Sequence, residues 1–367
     1  MKILHTEASL GWGGQEIRIL REALGMRQRG HEIIIAADPK SSLLENAHNQ
    51  GFMTIPVAFK RRNLLPLVLY FKRQIEKEKI DIVNTHSSKD SWLVLPAARL
   101  AGNKPLAIRT RHLSTPIGKT FLSRLLYNSF PHMVITTGEA IRLQMITVNR
   151  FDPHKIISIP TGVDAERFTP DAPYTDIRQE LGLAASTVLV GSVSVIRSWK
   201  GLDYFVRAIP IIARVMPEVR FVIAGDGPHR NSLERTIEET GAGDRIFLLG
   251  HREDIVDILK SIDILIHPSY ANEGVPQTVL QAMAMKKPVV ASDIPPLKEV
   301  VIENVTGLLT RIKDPESIAS AVLNLLHDKE SSRRFGENGR RLVETSYSFA
   351  GMLDKIESLY RGVNAIA

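Results

Sequence analysis

The sequence contains no cysteine. That absence excludes disulfides, thiolate metal sites and a cysteine nucleophile together, and it fits a reducing compartment. Also missing is any apolar run of the roughly 18–20 residues that a membrane-spanning helix requires. Met1-Lys2-Ile3-Leu4 opens directly into a strand-like segment, so no leader is expected and the cytoplasm is the predicted compartment. There is no H-x-x-x-H pair in a helical pattern, no cluster of carboxylates and no G-x-S-x-G elbow. Metal-dependent and serine hydrolases are thereby left without support, and no metal site is predicted. No low-complexity tract argues for disorder. No basic motif interleaved with aromatics marks a nucleic-acid module.

What is present is enough for two domains. At 367 residues, with 44% apolar and 24% charged, the chain exceeds one ordinary core and suits two of roughly 150–200 residues. The net charge of +7 is unevenly placed. Residues 1–165 hold 23 Lys+Arg against 13 Asp+Glu, whereas residues 166–367 hold 24 against 27. A basic half beside a near-neutral one points to an anionic partner for the first: a membrane surface, a phosphorylated or acidic acceptor, or nucleic acid. A solvated basic surface without a role accounts for the same count.

Strand-like runs at 2–5, 32–37, 54–57, 82–85, 106–110 and 133–137 alternate with helical patterns, and the rhythm resumes at 187–195, 220–224, 246–249, 264–267 and 288–292. Strand–helix–strand alternation predicts right-handed crossovers and parallel, doubly wound sheets. The stretch 159–164, followed by Pro170 and Pro173, has the chemistry of a hinge. The expected domains are 1–165 and 166–347. Residues 348–367 are read as an amphipathic helix that crosses back to the first domain. Ligands of such sheets sit beyond the carboxyl ends of the strands.

Several motifs fall there. Gly11-Trp12-Gly13-Gly14-Gln15-Glu16 follows the first strand and opens a helix, where close backbone approach and free N–H groups suit an anion. It lacks the G-x-G-x-x-G spacing of a nicotinamide site. Arg197 and Lys200 follow the first strand of the second half, where two cations can neutralise a pyrophosphate and stabilise it as it leaves. Gly225 in Ala224-Gly225-Asp226-Gly227-Pro228, and His251 and Arg252 after the next strand, are further candidates, as compatible with plain turns as with ligand contact. The strongest run is 267–284. A strand ends, a turn presents Glu273, and a helix begins near Gln277 with the amides of Gly274, Val275, Pro276, Gln277 and Thr278 grouped at its start. Glu273 is placed to accept from sugar hydroxyls and Gln281 to reach a ribose. In the first half His86, His112 and Arg111 stand at strand ends, where a structural and a functional role are equally open.

Together, Gly13-Gly14-Gln15-Glu16, Thr161-Gly162-Val163-Asp164 with Arg167-Phe168, Lys200-Gly201, Ala224-Gly225-Asp226-Gly227-Pro228, and Glu273 through Ala284 with Pro288-Val289-Val290-Ala291 resemble glycosyltransferase family 4, in order and spacing, over nearly the whole chain. The resemblance implies an α/β GT-B fold, two Rossmann-like domains facing a central cleft. It implies a UDP- or GDP-sugar donor as co-substrate, no other cofactor and no obligatory metal, and transfer with retention to a glycan or lipid-linked acceptor in lipopolysaccharide, capsule or other envelope synthesis. By the same resemblance Lys200 grips the donor pyrophosphate, Glu273 contacts the transferred sugar as the first acid of a Glu-x7-Glu motif, Gly13 and Gly14 lie against the phosphates, and His112 helps position the sugar. Two departures stand out. Gln281 replaces the second acid, keeping hydrogen bonds to a ribose without the charge. Val195 stands where the family commonly has an arginine five residues before the lysine, and Arg197 is its candidate substitute.

Two basic, apolar stretches, 60–73 and 119–127, suit an anionic inner leaflet, or equally core-facing helices with a wet basic side. The remaining alternatives are a GT-B-shaped nucleotide-sugar epimerase and a nucleotide-sugar-binding protein without turnover.

Overall fold

Strands such as Glu-Ile-Ile-Ile-Ala-Ala and Ile-Leu-Ile-His carry apolar residues on both faces, a pattern that a parallel sheet covered by helices on either side can bury. The computed structural model describes residues 1–59 and 64–364 and contains two such sheets. One unit spans Met1–Thr161 together with the chain from Ala350 onward, and the other spans Gly162–Phe349.

The first unit holds β1 (Lys2–Glu7), β2 (Glu32–Ala37), β3 (Met53–Pro56), β4 (Ile82–Thr85), β5 (Leu106–Arg111), β6 (Met133–Thr136) and β7 (Ile156–Ser158) in the order β3-β2-β1-β4-β5-β6-β7. The second holds β8 (Leu189–Val193), β9 (Arg220–Ala224), β10 (Ile246–Gly250), β11 (Ile264–His267), β12 (Val289–Ser292) and β13 (Gly307–Thr310) in the order β10-β9-β8-β11-β12-β13. Pairing is parallel throughout. The strand order reverses direction between β1 and β4 and between β8 and β11, and these are the points where a ligand crevice opens at the carboxyl edge of such a sheet.

Strands β7 and β13 were not anticipated. Each is a short edge strand with one neighbour, and β7 follows directly on the three-residue turn Pro153–Lys155. The unit boundaries fall at 161/162 and 349/350, and backbone pairing explains why. The Val163 amide donates to Tyr347, and the Phe349 amide donates to Val163, at 2.8 and 2.9 Å, which ties 163 and 347–349 to one another.

The helix Phe349–Asn364 supplies a core residue to the first unit. Tyr360 is fully buried; its hydroxyl donates to Glu22 at 3.3 Å and accepts from Asn84 at 3.2 Å, while Thr110 donates to Asn84 at 2.9 Å. Glu22, itself buried, also lies 3.8 Å from Arg18. Arg29 pairs with Glu357 at 3.0 Å nearer the surface.

In the second unit the turn after β8 is pressed against the turn after β11. Gly201, at φ +69°, sits where a Cβ would meet the carbonyl oxygen of Pro268 at 2.1 Å, and the Tyr270 amide donates to Trp199 at 2.9 Å. Gly201→Ala adds both a clash and a left-handed strain. It is expected to cost about 2 kcal/mol, a melting temperature lower by roughly 4–8 °C for a unit of this size. Differential scanning calorimetry of the two proteins checks this.

Candidate active site

The close approach at Gly201 brings Lys200 to Glu273. Lys200 leaves the turn after β8 and Glu273 the turn after β11, and Nζ stands 2.5 Å from Oε1. Glu273 is buried, so its carboxylate is deprived of water, yet it is held down at about 2. Burial alone would raise it. The Lys200 charge and the hydrogen bonds from Lys200 and His267 outweigh that cost. His267, the last residue of β11, approaches the same carboxylate oxygen at 3.5 Å and Ser269 Oγ at 3.2 Å. Burial lowers the pKa of His267 against the pull of Glu273, which leaves it a neutral ring at pH 7. It opens the strongest motif of the sequence but carried no assigned role. A histidine closing a strand that ends at the switch point was the available signal. Lys200 has three N–H donors and gives one to Glu273, so two remain for a ligand. Arg197 is exposed, its guanidinium 5.1 Å from the Trp199 ring, and among the described residues it pairs with no carboxylate. Two cations and one carboxylate thus gather at a single edge, with positive charge in excess.

The helix Gln277–Ala284 starts beside Glu273 with no side-chain cap. Gly274, Val275 and Pro276 are buried beneath it. Pro276 has no N–H, so it cannot join the expected group of donors. Thr278 stands in the first turn, where amides lack intrahelical partners, and Gln277 opens it. Gln281, one turn further, is buried.

Three other donor candidates are placed differently. Arg252 is committed to Asp254 and Glu180, with contacts of 2.5–2.9 Å to four carboxylate oxygens, which raise its pKa and leave little of its fork for a ligand. Gly225, at φ +142°, sits where a Cβ would meet the Ser194 carbonyl oxygen at 1.9 Å, so packing alone demands glycine there. His251 is exposed beyond β10.

In the first unit the Gly13 amide donates to Glu16 Oε2 at 3.0 Å. The helix Gly14–Gln28 therefore begins already closed by its own carboxylate, and this amide is not the free donor that the glycine run suggested. Nearby Glu7 accepts from the Ser9 amide and the Gln15 side chain. Burial, reinforced by Asp90, pushes it up to about 8, so it is neutral at pH 7.

His86 and His112 are brought together, with ring nitrogens 3.0 Å apart. A third histidine, His5 of β1, extends the row from the other side of His86 at 3.0 Å. Asp90 pins the turn by accepting from the His86 amide, the Ser87 amide and the Thr6 hydroxyl. Arg111 serves its own loop, donating to Tyr127 Oη at 2.8 Å and to the backbone oxygen and hydroxyl of Thr115. His86 is 3% exposed, so its contact is with its neighbours rather than with an acceptor. Among the described residues no three His, Cys, Asp or Glu side chains converge as a metal ion would require.

The low pKa of Glu273 fixes a pH dependence. Its folded value lies below its unfolded one, so the native state holds fewer protons than the unfolded chain between about 4.5 and 2. Stability contributed by the ionised carboxylate is present above that window and is lost as the pH falls through it. Urea unfolding at pH 5 and pH 3 is expected to show a larger loss for the wild type than for Glu273→Gln.

Comparison with known proteins identifies the family. Residues 12–167 match the model of Glycosyltransferase Family 4 and residues 173–342 that of Glycosyl transferases group 1. The UDP-Gal:alpha-D-GlcNAc-diphosphoundecaprenol alpha-1,3-galactosyltransferase of Escherichia coli is 31% identical over 299 residues, 78% of this chain and 76% of that one. The D-inositol 3-phosphate glycosyltransferase of Nocardia farcinica is 28% identical over 88% of this chain and 79% of its own. Among solved structures, Anabaena HepE in complex with UDP-glucose superposes with a TM-score of 0.87 at 22% identity, covering 99% of this chain and all of that one. The chain belongs to the glycosyltransferases of group 1 and family 4, and it is a glycosyltransferase of GT-B fold.

Proposed function

We propose that the enzyme transfers a sugar from a UDP-sugar to a glycan or lipid-linked acceptor, with retention at the anomeric carbon, in the synthesis of lipopolysaccharide or another envelope glycan. The observation that carries this reading is the Lys200–Glu273 pair at the switch point of the second sheet, with Arg197 opening the same turn as Lys200. The second unit is the donor domain and the first the acceptor domain. The remaining donors of Lys200, the Arg197 guanidinium and the start of the helix Gln277–Ala284 take the diphosphate, and Gln281 bonds the ribose. Glu273 accepts from hydroxyls of the transferred sugar, and in the first unit His112 bonds a sugar hydroxyl. In the transfer the bond between the anomeric carbon and the phosphate oxygen breaks as the acceptor oxygen attacks from the same face. The acceptor proton passes to the departing phosphate oxygen. Negative charge builds on the diphosphate during that step, and cations fixed in place stabilise it without reorganising. No step in this scheme calls on a metal ion.

The acceptor unit suits the inner face of an anionic membrane. Phe121 and Leu122 are 73% and 58% exposed between Lys119 and Arg124, and Leu65 and Leu69 are exposed on the helix Leu64–Lys77. Lys60, Arg61, Arg62 and Asn63, also part of the expected basic surface, lie outside the described residues. No described helix is long and apolar enough to cross a membrane.

A screen of UDP-, GDP- and ADP-sugars tests the reading by following slow nucleoside diphosphate release. Release from a UDP-sugar, reduced about 100- to 1000-fold by Lys200→Ala and by Glu273→Ala, is expected. Binding without release from any donor would favour a binding protein without turnover, and an epimerised donor returned intact would favour an epimerase. For the membrane, Phe121→Asp with Leu122→Asp is expected to lower co-sedimentation with anionic vesicles at least tenfold. Equal binding of the wild type to neutral and anionic vesicles would remove the idea.

A further inference from the structure

The first unit contains a hydrogen-bonded row of three imidazoles. His5 Nδ1 lies 3.0 Å from His86 Nε2, and His86 Nδ1 lies 3.0 Å from His112 Nε2. Ring centroids are 5.2 and 5.3 Å apart. The members come from β1, from the turn after β4 and from the end of β5, three neighbours in the sheet. The row therefore crosses the switch point.

All three rings are neutral at pH 7. Burial brings His5 to about 4. Burial also holds His86 well below the ordinary histidine range, helped by the flanking histidines and by Arg18 and Arg109. His112 is lowered likewise, by burial and by Arg18, Arg109 and Arg111. Three neutral rings carry three N–H protons. Each ring-to-ring contact needs one, because two lone pairs or two N–H groups facing each other at 3.0 Å repel. The third proton then has two places to sit: Nε2 of His5, or Nδ1 of His112. His5 Nε2 is buried and has no hydrogen-bond partner. A buried N–H without an acceptor is a rarer defect than a buried acceptor lacking a donor. The tautomer of each ring is set by the bond its other nitrogen makes, so one end of the row dictates the other.

We propose that the row is polarised in one direction: His5 donates to His86, His86 donates to His112, and His112 presents its Nδ1–H outward to a sugar hydroxyl at the carboxyl edge of the first sheet. His5 and His86 are positioning residues. Neither touches the ligand, and both act by making His112 a donor rather than an acceptor. Among the described residues no protein group is bonded to His112 Nδ1, while its backbone oxygen accepts from Thr137 at 3.0 Å, which steadies the loop that aims the ring. The inference rests on the assignment of His112 to the sugar, but the direction of the row is a property of the free protein.

Long-range proton–nitrogen spectra of the full-length, nitrogen-15-labelled protein read the tautomers directly, with His112→Gln to assign the signals. The expected result is Nδ1–H on all three rings. Nε2–H on His112 overturns the proposal, whatever the activity. His86→Phe removes the donor that dictates the tautomer. With the donor sugar found in the screen, kcat is expected to fall about tenfold, the loss of one hydrogen bond, while affinity for UDP alone stays unchanged. An unchanged kcat in a variant whose His112 has switched tautomer overturns the positioning role. Should His86→Phe fail to fold, the wild-type spectra still decide. Turnover with no donor sugar overturns the proposed function instead, since the spectra settle the row without any substrate.

Discussion

A parallel strand rejoins its sheet through a right-handed crossover, and where successive crossovers pass to opposite faces, the two flanking loops at the carboxyl edge must part. Both sheets of this protein carry that constraint once, between β1 and β4 and between β8 and β11. The candidate site side chains gather at those two partings. Lys200 and Glu273 flank one; His5, His86 and His112 span the other. Lys200 and Glu273, 73 positions apart, and His5 and His86, 81 apart, meet there because the topology leaves that edge unoccupied by connecting chain.

The two edges solve the problem of buried ionisable groups in opposite ways. At the second sheet an opposite charge at 2.5 Å keeps Glu273 ionised in spite of burial. At the first, burial prevails, leaving Glu7 protonated and three histidines neutral at pH 7. One edge offers fixed charge, suited to a diphosphate. The other offers directional hydrogen bonds, which suit hydroxyl groups. An isolated buried charge is expensive and a neutral partnered group is not, so each arrangement is stable only with its neighbours complete.

What the sequence disclosed followed how local the determining physics is. Long strands of β-branched residues were legible because both faces are apolar, whereas β7 and β13, with three and four residues on the sheet edges, leave too short a pattern. The run 267–284 was legible because strand, turn and helix start follow one another without interruption. Arg252 stayed open to ligand contact because one of its two carboxylate partners, Glu180, lies 72 residues away. The Gly13 amide read as free because the reach of Glu16 back to it is a side-chain conformation, not a pattern. His5 was hidden inside a strand and gains meaning only from His86, 81 residues on.

The buried tyrosine of the last helix ties the assembly of the protein to the order of its synthesis. Glu22 and Asn84 are enclosed in the first unit and share the hydroxyl of Tyr360, a residue that leaves the ribosome only after the whole of Gly162–Phe349 has been made. Until then the first unit lacks a core side chain, and a buried carboxylate lacks one of its partners. The unit that is translated first is thus the one completed last. A nascent chain stalled after the second unit carries a finished second unit and an unfinished first one.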